Sequence, residues 1–216
     1  MWDIKNKVIG FIAEIGSGKT FVAKLMKGVY NHVEVRAFGT KIKESVKFAA
    51  GLDPGVKDDP EYDNVTVDEY YIEFDDPIKK ICERLDMFLN SQRLGQLTMG
   101  EMAMFADVYT NSKSVREFHR VMLQKVGTEI FRKRDEDYWV KVFAADVLPL
   151  LNDRWALLVI DDVRFPNEAN FVKSLDGKIV KIEPVNQKDV NVVKGVKGHD
   201  SETLISRIEP DMVLEN

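Results

Sequence analysis

One cysteine, Cys82, is all that the 216 residues contain. That excludes an internal disulfide and any zinc site built from cysteines. Cys82 is expected to pack on a helix as a small hydrophobe. Histidine is nearly as scarce, and His32, His119 and His199 are too scattered to share a metal. No apolar run reaches the roughly 20 residues that span a bilayer, and the N-terminus lacks a signal-peptide pattern. No membrane partner and a cytoplasmic location are therefore expected. Positive charge is not in excess either. A net charge of −5 and a pI near 5.4 argue against polymeric nucleic acid as a partner. Internal repeats and low-complexity tracts are absent from the sequence.

Hydrophobic residues make up 44% and charged residues 31%, an ordinary globular balance. The length suits one domain with an inserted lobe, large enough to bury a core. Its organising stretch lies near the start. Val8 to Ile12 is a short apolar run, as a buried parallel strand requires. Phe21, Val22, Leu25 and Met26 recur at helical spacing, with Gly28 as a stop signal. Between them stands Ala13-Glu14-Ile15-Gly16-Ser17-Gly18-Lys19-Thr20. This pattern is a phosphate-binding loop, with Ala13 where the consensus has its first glycine. Gly16 and Gly18 allow the tight turn that aims backbone N–H groups at an anion. The helix N-terminus adds partial positive charge. Lys19 is expected to reach the β- and γ-phosphates, and the Thr20 hydroxyl to bind Mg²⁺.

A second strand is expected over 31–38, then a helix capped by Thr40 and ended by Gly51. Lys43, near that helix start, is either a solvated lysine or a phosphate contact. A turn-rich break begins at Leu52, and the residues to about Lys113 are expected to form an inserted lobe. Asp76 and Pro77 open a helix with Ile78, Ile81, Leu85, Phe88 and Leu89 as its core stripe. A methionine-rich helix over 99–109 is expected to turn its methionines into the lobe's core.

Ser114 and Glu117 form a capping-box pattern for the next helix. Val115, Phe118, Met122, Val126 and Ile130 share one face. On an α-helical wheel Arg116, Arg120, Gln124 and Gly127 cluster on another. Like charges at i, i+4 repel, and an anion held by the guanidinium groups relieves them, as would a nearby carboxylate. Phe131 to Arg134 is a second basic cluster. Asp135 or Asp137 caps a helix carrying Tyr138, Trp139, Val142, Phe143 and Val147. Trp155 to Ile160 reads as another buried strand, ending in Asp161-Asp162-Val163-Arg164. Ligands of open α/β sheets bind beyond the carboxyl ends of strands, where carboxylates meet the metal of a nucleotide. A short helix from Phe165 and a strand over 178–183 follow. The basic loop 185–200, with Lys188, Lys194 and Lys197, has the composition of a lid.

Taken in order, these motifs resemble the deoxynucleoside monophosphate kinases of the bacteriophage type, within the P-loop kinase superfamily. The matching stretches are the phosphate loop, Gly39 to Glu44, Arg120 through Gln124 to Glu129, and Tyr138 to Val140. Asp162 to Glu168, His199 to Glu202 and Asp211 to Asn216 complete the set. The resemblance implies a three-layer α/β domain over residues 1–216: a parallel sheet flanked by helices, a helical acceptor-binding lobe inserted at about 52–113, and a lid at about 185–200. It implies transfer of the γ-phosphoryl group of ATP to a deoxynucleoside monophosphate, with Mg²⁺. Ala13, Gly16, Ser17, Gly18, Lys19 and Thr20 would hold ATP. Thr20 and Asp162 would serve the metal, with Asp161 second to Asp162. Lys19, Arg120, Arg132, Asp162 and Arg164 would act in catalysis. Lys43, Arg120, Gln124, Thr128 and Arg164 would bind the acceptor. Similar kinases continue into another helix where this chain stops at Asn216. A ribonucleoside monophosphate kinase, a dephospho-coenzyme A kinase and a non-catalytic nucleotide binder are the competing readings, and a homodimer is left open.

Overall fold

The computed structural model of the chain describes residues 8–13, 17–152, 157–183 and 204–215. It divides into two compact units, one of residues 1–38 and 139–216, the other Gly39–Tyr138.

The first unit is an α/β sandwich of three layers. Its strands are β1 (Val8–Ile12), β2 (Val33–Arg36), β3 (Leu157–Ile160), β4 (Lys178–Glu183) and β5 (Met212–Glu215). Among the described residues they form one sheet in the order β2-β3-β1-β4-β5, with every pairing parallel. This is the sheet of a P-loop kinase-like fold. Alternation along each strand feeds both faces. Val8, Ile12, Leu158, Ile160 and Ile179 pack with Phe143, Val147, Ala169 and Val172. These partners come from α7 (Tyr138–Val147) and α8 (Pro166–Ser174). On the opposite face Phe11, Val159, Val180 and Ile182 meet Val22 and Ala23 of α1 (Lys19–Val29). A side chain at Gly10 would collide with Val163, Ile179 and Val172 at 2.9–3.1 Å, so the residue that interrupts the apolar run is what lets α8 seat on the sheet.

The second unit is helical. It comprises α2 (Gly39–Ala50), two 310 turns (Val56–Asp58 and Pro60–Asp63), α3 (Val67–Tyr70), α4 (Pro77–Ser91), α5 (Met99–Asn111) and α6 (Val115–Gln124). A π-helical segment, Lys125–Arg132, continues α6 without a break. Val46, Leu85, Leu89, Phe105, Phe118, Met122, Val126 and Ile130 are completely enclosed. The Tyr71 ring lies against Phe74, Tyr109 and Phe118, and its hydroxyl donates to the Ala50 carbonyl at 2.6 Å. Asp76 caps α4 through the Lys79 N–H, and Thr98 with Glu101 forms a full capping box on α5.

Several local expectations change. α1 runs past Gly28 to Val29, and α2 begins at Gly39, which puts Thr40 inside the helix rather than at its cap. Ser114 caps α6 through the Glu117 N–H, but the Glu117 carboxylate accepts from Lys113 instead of closing the box. Met99 is 81% exposed, and Phe105 and Val108 fill the space expected for methionines. Phe21 and Leu25 face outward on α1 while Val22 and Ala23 carry its packing. The lid segment, His199 to Glu202, Gly16 and the first residues of the third predicted strand lie outside the described residues.

Candidate functional site

Two sets of predicted residues belong to different units. The first grows from the sheet. β1 and β3 are adjacent and parallel, with Gly10 opposite Ile160, so both strands end at the same rim. From β1 the chain passes through Ala13 to Ser17 and Gly18, and α1 starts at Lys19. Gly18 sits at φ 85°, in the left-handed region that a side chain resists, and forms the N-cap of α1 with no side-chain cap. The partial positive charge of that helix start favours an anion.

Lys19 bends back to the loop. Its ammonium donates to the Ala13 carbonyl at 3.1 Å. Burial, helped by the like charge of Arg164, pulls its pKa down from the ordinary lysine range to about 8, against the opposing pull of Asp162 and Asp161. Two cations and two carboxylates thus converge at the head of α1. Past the end of β3, the Asp161 N–H donates to the Arg36 carbonyl and the Val163 N–H to the Phe11 carbonyl, fixing the direction of the two aspartates. The Thr20 hydroxyl donates to Asp161 Oδ2 at 3.4 Å. Asp162 turns the other way, and its Oδ1 accepts the Phe38 N–H at 2.7 Å. The backbone N–H groups of Arg164 and Phe165 both donate to Glu168, which is buried, so α8 begins at a braced corner.

Among the described residues no group of three His, Cys, Asp or Glu side chains forms a metal cage. The rim instead offers a hydroxyl and carboxylates, hard oxygen donors. Such a set fits a magnesium ion that arrives on a nucleotide and takes most of its ligands from phosphate and water.

The second set lies on α6 and the π-helical segment. Arg116 and Arg120 each donate through Nε to the Lys57 carbonyl, at 3.0 and 2.9 Å. Arg116 also pairs with Asp63 and is buried. The repulsion expected between these two arginines is thus relieved in part by protein groups, and Arg116 is a clamp on the first 310 turns. Burial and the neighbouring Arg116 lower the Arg120 pKa. Arg132 donates to the Glu136 carbonyl at 3.2 Å. Arg134, from the same basic cluster, braces α5 through Glu101 at 2.8 Å and also donates to the Gln96 and Ile130 carbonyls.

His119 is a residue that sequence reasoning passed over. It is completely enclosed, and among the described residues neither ring nitrogen has a hydrogen-bond partner. Burial, with Lys57 and Lys43, pushes its pKa down to about 4, while Asp58 and Asp53 oppose the shift. Lys43 therefore belongs to the same neighbourhood as α6. Only the i, i+4 alternation of α6 could have flagged His119, since it follows the apolar Val115 and Phe118 on the inner side.

Comparison with known proteins bears on the later part of the chain. A family profile described as "Deoxynucleotide monophosphate kinase" matches residues 78–216, nearly two-thirds of the sequence. A protein of Acanthamoeba polyphaga mimivirus named "Putative deoxynucleotide monophosphate kinase" is 30% identical over 121 residues. That match covers 51% of this chain and 58% of the viral protein's length. The profile match begins after the phosphate loop, so the loop at 13–20 and the family signal are separate observations. Together with the parallel sheet they converge: the chain belongs to the deoxynucleotide monophosphate kinase family.

Proposed function

We propose that the protein moves the γ-phosphoryl group of ATP to a deoxynucleoside monophosphate, yielding ADP and the deoxynucleoside diphosphate. The observation that carries this reading is the convergence of Lys19 and Arg164 with Asp161 and Asp162 at the glycine-turned start of α1. A lysine whose charge is disfavoured by burial and by a neighbouring arginine suits a site that expects a polyanion.

In this reading an oxygen of the acceptor phosphate attacks the γ-phosphorus. The bond from that phosphorus to the β,γ-bridging oxygen breaks, and ADP departs with the electron pair. No covalent enzyme intermediate is required, because alignment and charge neutralisation supply most of the acceleration. The backbone N–H groups at Ser17 to Lys19, with Ala13 and Gly16 before them, cradle the donor's phosphates. Lys19 leaves the Ala13 carbonyl to follow the β- and γ-oxygens. Magnesium bound with ATP would neutralise phosphate charge, and the Thr20 hydroxyl with a rim aspartate would hold it. Between the two aspartates, the contact with Thr20 favours Asp161 over Asp162 for that task. Arg164 steadies the group in flight. Arg120 and Arg132 supply guanidinium groups for the acceptor phosphate, with Lys43, Gln124 and Thr128 as further acceptor contacts.

ADP formation by the purified protein, measured with and without each of the four deoxynucleoside monophosphates, tests the reading. Turnover that depends on one or more acceptors is expected. ATP binding with no acceptor-dependent turnover would make the protein a nucleotide binder. Turnover that prefers a ribonucleoside monophosphate or dephospho-coenzyme A would reassign the acceptor.

A further inference from the structure

The sheet of the first unit is unevenly covered. α1 connects β1 to β2, which lies beyond β3, and β5 forms the opposite edge. Parallel strands are normally buried on both faces, yet β5 is exposed along its whole length. Pairing sets Met212 beside Val180 and Leu214 beside Ile182, so both side chains share the face on which α1 packs. Val180 and Ile182 are enclosed there, while Met212 and Leu214 are 44% and 40% exposed. On α1 itself Phe21, Leu25 and Val29 are 58%, 50% and 73% exposed, and Tyr30 follows them to solvent. Steps of four advance only about 40° around a helix, so the first three form one stripe. The unit therefore carries an apolar ridge and a bare apolar floor. Single exposed apolar residues are ordinary, but a group of this size marks a contact surface.

The charges on the two parts are opposite. α1 has lysines at 19, 24 and 27 and no acidic residue. Residues 208–215 hold Glu209, Asp211 and Glu215 and no lysine or arginine. Asp211 is met by Lys178. Lys24, Lys27, Glu209 and Glu215 are exposed and form no ion pair among the described residues.

We propose that two copies of this chain join through this face, the α1 of each seating on the β5 of the other. A second copy is the fitting occupant because one chain carries both complementary halves, a basic apolar ridge and an acidic apolar floor. A two-fold axis brings each ridge to the other copy's floor, so the contact is made twice and closes on itself. Phe21, Leu25, Val29, Met212 and Leu214 form its centre. Lys24 and Glu215 meet at its rim, where charged groups are tolerated and set the register. The arrangement gives β5 the helical cover that its own copy leaves off. It is independent of the kinase reading above.

Sedimentation equilibrium of the full chain over a concentration series tests the proposal. A dimer is expected. Leu25→Glu and Leu214→Glu should each raise its dissociation constant by about 30-fold or more, the scale of losing an anchor at the centre of an interface. Met87→Glu, at an exposed apolar position of the helical unit, should leave it unchanged. All three side chains are solvent-exposed, so the melting curves should stay cooperative. Lys24→Glu and Glu215→Lys should each weaken the dimer by placing like charges together. An equal mixture of those two variants should restore it, because both rim contacts of the mixed pair again join opposite charges. A wild type that stays monomeric throughout the series overturns the proposal. So does a dimer that Leu25→Glu and Leu214→Glu leave intact, or that Met87→Glu weakens as much. Charge variants whose mixture associates no better than either alone overturn the seating of α1 on β5.

Discussion

The hydroxyl of Thr20 meets the carboxylate of Asp161 at 3.4 Å, although 141 positions separate them in the chain. The parallel register of β1 and β3 brings them together, because both strands end at one rim. Asp162, one residue further on, is committed to the Phe38 N–H. The two adjacent aspartates therefore make different contacts, Asp161 with the Thr20 hydroxyl and Asp162 with a backbone N–H.

That geometry separates two substitutions. Asp161→Asn should lower kcat by about 100-fold or more and raise the Mg²⁺ concentration for half-activity, the scale of losing a group that stabilises charge in the transition state. Asp162→Asn should chiefly lower stability, by about 1–3 kcal/mol, through its weakened bond to a backbone donor. Steady-state kinetics across a magnesium titration, with melting curves for both variants, decides the matter. The reverse pattern would return the metal role to Asp162.

Lys19 carries a pH signature. Its pKa in the ligand-free protein is pulled down to about 8, by burial first and Arg164 second. The ammonium is therefore complete below pH 8 and is lost as pH rises through it. Bound polyphosphate favours the charged form, so ATP binding should take up about half a proton at pH 8 and almost none at pH 6.5. Calorimetry in two buffers of different ionisation enthalpy measures the uptake. A value of zero at pH 8 would remove the depressed lysine from the account.

His119 predicts acid sensitivity. Its folded pKa of about 4 lies below the ordinary 6.5, chiefly because the ring is buried, with Lys57 and Lys43 adding to the shift and Asp58 and Asp53 opposing it. Between those two values the unfolded chain binds more protons than the folded one. Stability contributed by the neutral ring is full above pH 6.5 and is lost as pH falls toward 4, by at most about 3 kcal/mol. Urea unfolding of the wild type and of His119→Gln at pH 7, 5 and 4 should show a smaller acid loss in the variant. Parallel losses would mean that other groups account for the decline.

Arg116 and Arg120 share the Lys57 carbonyl and should nevertheless behave differently. Arg116 is enclosed and paired with Asp63, whose own side chain is half exposed, so Arg116→Ala should cost about 1–3 kcal/mol of stability with kcat changed by less than about threefold. Arg120→Ala should reduce kcat/KM for the acceptor by about 100-fold or more, in the range of a lost charge contact to phosphate. Melting curves and acceptor kinetics on both variants separate a clamp from a substrate contact.

Much of the first unit was legible because its signals are local. The loop from Ala13 to Thr20 is contiguous, and the apolar runs of β1 and β3 need no partner to be recognised. The contacts of Asp161 with Thr20 and of Asp162 with the Phe38 N–H were not legible, since they depend on strand register and on residues far away in the chain. Buried apolar residues spaced by four from Phe118 to Ile130 fit an α-helix over two turns, and the drift that exposes a π-helix accumulates only over three or four. The partners of Arg116 and Arg134 could not be named from the sequence, because Asp63 and Glu101 lie 53 and 33 positions away. Met99 looked like core because hydrophobicity says nothing of a residue's place at the first turn of a helix, where this one points to solvent.

Transfer itself is the central claim. ATP labelled at the γ-phosphorus, incubated with the protein, Mg²⁺ and each deoxynucleoside monophosphate, should yield labelled deoxynucleoside diphosphate, and Lys19→Ala should abolish it while the melting curve stays cooperative. Label recovered only as inorganic phosphate, or a Lys19→Ala protein as active as the wild type, would contradict the account.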